Sequence, residues 1–536
     1  MRIKLRRIKL DWRSLTEEKE EGNIEYKLKI VSPDEDRLER LATQMRYRLR
    51  EGGGEAIYEL GVSNDGLLIG LSEHELKESL KWLSEAAKRI GAKITILREG
   101  KGKKGKVVEL LIRMVKEDFP IYVMVPVLGN VDSGKSTTIG VLCSGELDNG
   151  SGLARSKVLR YLHELKTGRT SSISSHLLGF SENGEIVNYN LASPLDEAEI
   201  FLNSSKVICF VDLGGHERYL RTTLKGVTGR APDYIMLCIA ANAGLIGTAK
   251  EHLGIATVLR IPVFIVLTKI DMAPHEVKER ILSEVLHILK KPGISKIPIV
   301  VNEIDDAIVA ARNMPSGRIT PIFLISNTTG EGLDLLKTFL NILPPRLRWD
   351  EKLNDPFKMY VEEKFNVKGV GTVVSGLVLQ GEVEVDDYLQ LGPFRDGSFR
   401  LVRVRSIHVN RVNVDRAHAG QEACLALKNV EYDEVEKGMC ILDKSIAPRA
   451  VKSFKAKVTI LHHPTTIKRG YQAVLHMYTI RQAAKFTWLS KEPLRTGDTA
   501  HVELEFCYKP EYVSSGDWFV FREGRTRGFG IVLETA

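Results

Sequence analysis

The stretch Gly129-Asn130-Val131-Asp132-Ser133-Gly134-Lys135-Ser136 decides how this chain is read. Its spacing, G-x-x-x-x-G-K-[ST], is that of a phosphate-binding loop. The context fits: the apolar run Ile121–Leu128 precedes it and a helical pattern over Thr137–Cys143 follows. Glycines let backbone N–H groups wrap phosphate oxygens without a side-chain clash. Lys135 can then reach the β- and γ-phosphates, and the Ser136 hydroxyl can ligate magnesium. The start of the following helix adds the positive end of its dipole. Asn130, Val131, Asp132, Ser133, Gly134, Lys135, Ser136 and Thr137 are therefore the candidate phosphate cradle.

Working outward, Val207–Asp212, Tyr234–Ala240, Val263–Thr268 and Pro321–Ser326 are further continuous apolar runs. Most are followed by a helical pattern. Strands buried on both faces and separated by helices make a doubly wound parallel α/β sheet, whose ligands bind at the carboxyl ends of the strands. The chain places its chemistry there. Asp212-Leu213-Gly214-Gly215-His216 ends one run, with Asp212 suited to holding magnesium through water and the Gly215 N–H to sensing a γ-phosphate. Thr268-Lys269-Ile270-Asp271, continued by Met272, ends another. A carboxylate such as Asp271 accepts both the N1–H and the exocyclic amine of guanine, which adenine cannot match, and the Lys269 stem can cover the base. Ser326-Asn327-Thr328 ends the last run, where a backbone N–H would face the guanine carbonyl. The four loops in this order point to GTP rather than ATP, with magnesium.

The length of 536 residues allows three or four domains. Before residue 119 the pattern alternates: a strand over Ile24–Val31, a helix over Asp34–Arg50, and a hairpin of Ala56–Gly61 with Leu67–Leu71 around Asn64-Asp65-Gly66. A second helix, Glu73–Ile90, opens on Ser72 as N-cap, and strands Ile94–Arg98 and Val107–Val115 flank a basic, flexible loop over residues 99–106. After Leu343-Pro344-Pro345, short alternating strands with Gly or Asp turns predict two all-β barrels. The divisions fall at an α/β N-terminal domain 1–118, a P-loop domain 119–348, and barrels 349–447 and 448–536. No apolar run approaches the roughly 18 residues of a membrane span. Met1–Leu10 alternates bases with aliphatics instead of forming a signal-peptide core, and six dispersed cysteines without a C-x-x-C fit neither a disulfide framework nor structural zinc. A cytoplasmic, membrane-free protein is the expectation.

The motifs resemble those of the translational GTPases of the elongation factor Tu and elongation factor 1 alpha type. Gly129–Thr137 is similar to their G-H-V-D-H-G-K-[ST]-T and Asp212–His216 to their D-x-P-G-H. The resemblance is closer to the eukaryotic GTP-binding protein one and two family and covers nearly the whole chain. It is carried by Gly145–Gly150, Gly168–Ser172, Gly369–Gly376, His462–Thr466 and Phe521–Thr526. It implies that Thr170 closes over magnesium and the γ-phosphate in switch I, and that His216 orients the attacking water. Val131 would form one side of an apolar gate before His216, and Asp132 would sit where related factors bind a monovalent cation. Leu142–Ala192 would be an extended switch I, mobile without GTP. The chain departs from the pattern at Asn130 and Ser133 (His in the family), Gly214 (Pro), Thr268 (Asn) and Asn327 (Ala). Guanine selectivity then rests mainly on Asp271, with Thr268 retaining one hydrogen-bond donor.

Charge is distributed unevenly. Met1–Asp118 holds 26 Lys and Arg against 22 Asp and Glu, and Ile446–Ala536 holds 14 against 8, so both flanks are basic while the middle is slightly acidic. Basic flanks suit RNA, through salt-sensitive phosphate contacts. The family implies a monomer acting on the ribosome, transfer RNA or messenger RNA. One reading is a catalytic switch stimulated by the ribosome; another is a GTP-stabilised RNA-binding adaptor that recruits RNA-decay machinery. A metabolic GTPase subunit ranks last, since it gives no reason for the N-terminal domain. His462 and His463 read as a strand-end or RNA-facing pair rather than metal ligands, and His252 and His287 as helix-surface or packing residues. Only six glutamines among abundant Lys, Arg and Glu fit a thermophile, which with a eukaryote-like sequence suits an archaeal source.

Overall fold

Helix caps set the first layer. In the computed structural model, which describes residues 18–115, 119–159, 173–214, 231–245, 247–524 and 526–535, α1 (Glu35–Glu51) starts where the Asp34 carboxylate accepts the Arg37 N–H. The second helix, α2 (Glu73–Arg89), starts on a reciprocal capping box between Ser72 and Glu75. Both pack on a four-stranded sheet of order β1-β2-β4-β3, with β1 Ile24–Lys27, β2 Glu55–Leu60, β3 Ala92–Lys101 and β4 Lys106–Met114. Leu38, Leu41, Ala42, Met45 and Leu49 share one helical face and are buried against that sheet.

Three expectations are corrected here. The strand at Ile24 stops at Lys27, four residues short of Val31. Leu67–Leu71 is no strand: it makes only the isolated bridges Val62 with Leu68 and Leu71 with Lys106, and β2 pairs with β1 and β4 instead. Gly70, at φ +84°, explains this, because its turn presses so close to Gly105 that a Cβ would lie 2.5 Å from the Gly105 carbonyl oxygen. The basic loop is pinned, not free. Lys103 and Lys104 donate their N–H groups to the Leu68 and Ile69 carbonyls at 3.0 and 2.7 Å.

The second sheet has seven strands in the order β10-β11-β9-β8-β5-β7-β6. These are β5 Ile121–Gly129, β6 Ser174–Phe180, β7 Lys206–Asp212, β8 Ile235–Ala240, β9 Val263–Thr268, β10 Ile297–Val300 and β11 Ile319–Leu324. All neighbours are parallel except β6, which runs antiparallel to β7 at one edge. The five central strands coincide with the apolar runs. The edge strands β6 and β10 were not anticipated, being short or partly polar. β6 lies inside Leu142–Ala192, the stretch expected to be switch I. One fully buried amide, Asn188, accepts the Gly179 N–H at 2.8 Å, and its two N–H groups are shared among the carbonyls of Cys143, Leu177 and Pro194 at 3.1, 2.9 and 2.8 Å, tying down the second half of that stretch.

The two sheets are joined by buried charge. Glu55 on β2 accepts from Arg113 on β4 and from Lys206, the first residue of β7, both at 2.7 Å, with all three side chains at most 2% exposed. Arg113 continues to the Ser181 and Asn341 carbonyls at 2.8 and 2.9 Å. Arg312 bridges Glu59 and Glu109 at 2.9 and 2.5 Å. Lys206 lies at the amino end of its strand, so the N-terminal layer braces the end of the sheet away from the phosphate loop.

The compact units divide at residue 347, and the second holds two six-stranded rings. The first runs Lys358–Tyr360, Cys440–Asp443, Tyr388–Gly392, Arg400–Val409, Glu422–Lys428 and Gly371–Gln380, closing where the last pairs with the first. The second runs Ser453–His462, Thr499–Phe506, Ile480–Leu489, Gln472–Met477, Trp518–Glu523 and Thr526–Thr535, which pairs back onto Ser453–His462. Closure pairs each of the six ring strands on both sides. Between the rings, the Lys358 ammonium sits 5.4, 5.8 and 5.3 Å from the ring centres of Tyr360, Tyr478 and Tyr512.

Candidate nucleotide site

At the carboxyl end of β5 the chain must turn sharply into α3 (Lys135–Ser144), and two glycines permit it. Gly129, at φ +143°, lies so close to β8 that a Cβ would sit 2.2 Å from the Cys238 carbonyl oxygen. Gly134, at φ +82°, is the N-cap and provides no side-chain acceptor. The first-turn N–H groups of α3 therefore have no side-chain cap, the arrangement that receives an anion. Lys135 is buried and folds back over the loop, its Nζ donating to the Asn130 carbonyl at 2.7 Å and the Gly129 carbonyl at 3.3 Å. Burial lowers the Lys135 pKa, and the Asp212 carboxylate opposes that shift. Val131, Asp132 and Ser133 complete the loop, Asp132 exposed and left-handed at φ +59°, while Ser133 donates its hydroxyl to the Asn130 carbonyl at 2.9 Å.

The next loops converge on this one. Ser136 Oγ donates to Asp212 Oδ2 at 2.5 Å, uniting the first turn of α3 with the end of β7. That pair offers hard oxygen donors without nitrogen or sulfur, the set that suits magnesium. Thr268, fully buried at the end of β9, donates Oγ1 to the Ser133 carbonyl at 2.9 Å. Its one donor thus ties the phosphate loop to the base-side loop. Asp271 is exposed at that loop; burial works against its charge, but hydrogen bonds from Ser326 and Thr328 outweigh it and lower its pKa. Thr328 Oγ1 donates to Asp271 Oδ2 at 3.0 Å. Lys269 adopts φ +60°, and the Met272 side chain is 64% exposed beside it. Asn327 turns inward: its Nδ2 donates to Thr138 Oγ1 on α3 at 3.0 Å, and its backbone carbonyl accepts the Asp148 N–H at 2.8 Å. The asparagine that replaces the family's alanine therefore splices a third loop onto α3.

Thr170, Gly215 and His216 lie outside the described residues. Thr137 stands half-buried in the first turn of α3. Of the other histidines, His287 is exposed on its helix, whereas His252 has a place at the site. It is 1% exposed, and its Nδ1 accepts the Gly129 N–H at 3.2 Å from beneath the loop. Burial first and Lys135 second push its pKa down to about 3, so it is neutral, with the proton on Nε2. The sequence held a signal for this: His252 shares the spacing of buried Ala249, Leu253 and Ala256, placing it on an apolar face. His463 Nδ1 accepts the Thr465 N–H at 2.9 Å, and no group of three metal-ligating side chains occurs among the described residues. Part of the basic charge of the last barrel is neutralised, as Lys452 and Lys455 face Glu505 and Glu534 at 3.7 and 3.0 Å. No helix among the described residues is long and apolar enough to cross a membrane.

Comparison with known proteins adds the family. Residues 121–345 match the elongation factor Tu GTP-binding domain, 371–442 match elongation factor Tu domain 2, and 447–536 match the elongation factor Tu C-terminal domain. The chain belongs to the translational GTPases. Its nucleotide domain is a GTPase of the elongation factor Tu type. Among its relatives, GTP-binding protein 1 of Xenopus laevis is 44% identical over 98% of this chain and 80% of its own length. GTP-binding protein 2 of Homo sapiens is 44% identical over 97% of this chain and 88% of its own. A bacterial selenocysteine-specific elongation factor, EF-Sec, shares the fold with a TM-score of 0.56 at 22% identity, covering 78% of this chain and 59% of that one. This translational GTPase spans about three fifths of that structure's length, and its N-terminal layer precedes the first matched domain at residue 121.

Proposed function

We propose that this GTPase binds GTP with magnesium and uses hydrolysis to leave an RNA complex, most directly one on the ribosome. The observation that carries this is the convergence of strand-end loops on one another: Ser136 meets Asp212, and Thr268 meets Ser133. Lys135 and the uncapped N–H groups of α3 hold the phosphates. Asp271, kept ionised by Ser326 and Thr328, accepts the N1–H and amine of guanine. Ser136, Asp212 and, by the switch I resemblance, Thr170 would hold magnesium, which supplies charge neutralisation at the phosphates when bound. His216, by its motif, orients the attacking water, and neutral His252 holds the Gly129 amide that turns the loop. Relatives that are elongation factors support the ribosome as the partner, and domain divisions at residues 118, 348 and 447 belong to the same reading. The test is ribosome-stimulated GTP turnover in His216→Ala. Stimulation should disappear while GDP binding stays; undiminished turnover removes His216 from catalysis. Full RNA function in that variant would instead favour an adaptor.

A further inference from the structure

A cleft of about 370 Å³ opens in the N-terminal layer, between edge strand β1 and helix α1. Lys27, Lys29, Arg37 and Arg40 bring four cations to it, Gln44 adds an amide, and Pro33 forms a half-buried apolar floor beside Ile30 and Leu41, which are themselves buried in the core. The cations differ in what already holds them. Lys27 is committed to the buried Glu25 at 2.5 Å, and Lys29 reaches Glu75 at 3.1 Å. Arg37 and Arg40, one helical turn apart and both exposed, have no ion-pair partner among the described residues. Arg40 spends one donor on the Asp36 carbonyl at 3.3 Å, leaving the rest of its fork open. Contacts with the nucleotide-bearing sheet are made from β2 and β4, so this cleft sits on the free edge of the layer.

We propose that the cleft binds single-stranded RNA, with phosphates on Arg37 and Arg40 and a base against Pro33 at the cleft floor. Guanidinium forks match phosphate oxygens and also stack on base faces, and the apolar floor has no use for a bare phosphate. A cleft with cations on strand and helix around an apolar centre fits a nucleotide unit better than an extended acidic peptide. The inference rests on the reading that the chain acts on RNA, and it assigns the N-terminal layer a role in holding that RNA.

The test uses the full chain with a fluorescein-labelled single-stranded 12-mer RNA, comparing wild type with Arg37→Gln/Arg40→Gln by anisotropy from 50 to 200 mM salt. Each phosphate contact to a single strand contributes a slope of about 0.7 in log affinity against log salt. Two contacts therefore make the wild-type slope steeper by about 1.4, and wild type should lose roughly sevenfold more affinity than the variant across that fourfold salt step. GDP binding and the melting temperature should be unchanged, because Arg37 and Arg40 are exposed on α1 and neither belongs to the phosphate loop. Equal affinity and slope in both proteins overturn the cleft assignment and leave RNA binding elsewhere intact. No binding by wild type overturns both the cleft and the RNA reading. Displacement of the RNA by inorganic diphosphate or polyglutamate at matched charge, with no preference for the polynucleotide, assigns the cleft to those anions and overturns the proposal.

Discussion

Thr268→Val isolates the contact that most directly couples the phosphate loop to the base-side loop. Threonine and valine have nearly the same shape, so the substitution leaves no large cavity at this fully buried position. It removes the Oγ1–H that the Ser133 carbonyl accepts at 2.9 Å, and Ser133 is itself only 2% exposed. A buried carbonyl that loses its donor costs about 1–3 kcal/mol. With tenfold in affinity per 1.4 kcal/mol, GDP should bind roughly 5- to 150-fold more weakly if the whole cost falls on the nucleotide-bound loop. The loss should appear mainly as faster release, since the loop closes on a ligand already encountered. Stopped-flow release of a fluorescent GDP gives the rate, and equilibrium titration gives the affinity. Thr268→Ser, which keeps the hydroxyl, should recover most of the loss. Affinity within twofold of wild type in Thr268→Val, with an unchanged melting temperature, would refute the idea that this hydroxyl positions the phosphate loop.

Three further outcomes follow from the same contacts. Glu55→Gln leaves Arg113 and Lys206 buried without their carboxylate, and unfolding of the sheet-bearing unit should become easier by about 3–5 kcal/mol, read as a shifted denaturant midpoint with the barrel transition in place. Asn188→Ala strands the Gly179 amide and leaves the carbonyls of Cys143, Leu177 and Pro194 without their side-chain donor; it should cost about 2–4 kcal/mol and speed hydrogen exchange at Gly179. Glu59 carries a pH signature: burial first, then the neighbouring Glu109, raise its pKa from 4.5 to about 7 against the pull of Arg312. The folded chain holds that proton more tightly than the unfolded one, so the contribution is fully present below pH 4.5 and is lost as pH rises through 7. Melting temperatures of wild type should therefore fall relative to Glu59→Gln between pH 5 and 8; parallel curves would contradict the shift.

The sequence was most legible where burial on both faces leaves an uninterrupted apolar run. β5, β7, β8, β9 and β11 were readable for that reason, and the loops after β5, β7, β9 and β11 named most of the site. It was least legible where structure depends on a partner distant in the chain. β6 is half polar and gains its place only by pairing with β7, and Leu67–Leu71 has the pattern of a strand but is diverted by Gly70 meeting Gly105. Asn188 looks like any loop asparagine until its amide is seen among the backbone groups of Cys143, Leu177, Gly179 and Pro194. The substitutions against the family pattern were visible, but their consequences were not. Thr268 uses its single donor on the phosphate loop, and Asn327 uses its amide on α3. Glu55, Arg113 and Lys206 are ordinary charges in the sequence, and only the meeting of two sheets makes them a buried network.

Guanine recognition by Asp271 is the step on which the proposed function turns. Competition titration of GTP, ATP and xanthosine triphosphate against a fluorescent GDP, on wild type and Asp271→Asn, tests it directly. A site built to hydrogen-bond one base edge rejects a base lacking those groups by about 10⁴-fold or more. Wild type should prefer GTP over ATP on that scale. In Asp271→Asn the side-chain amide donates where the carboxylate accepted, so guanine affinity should collapse while xanthosine triphosphate, with a carbonyl in place of the amine, binds more tightly. Comparable GTP and ATP affinities in wild type, or guanine affinity untouched by the substitution, would contradict the account.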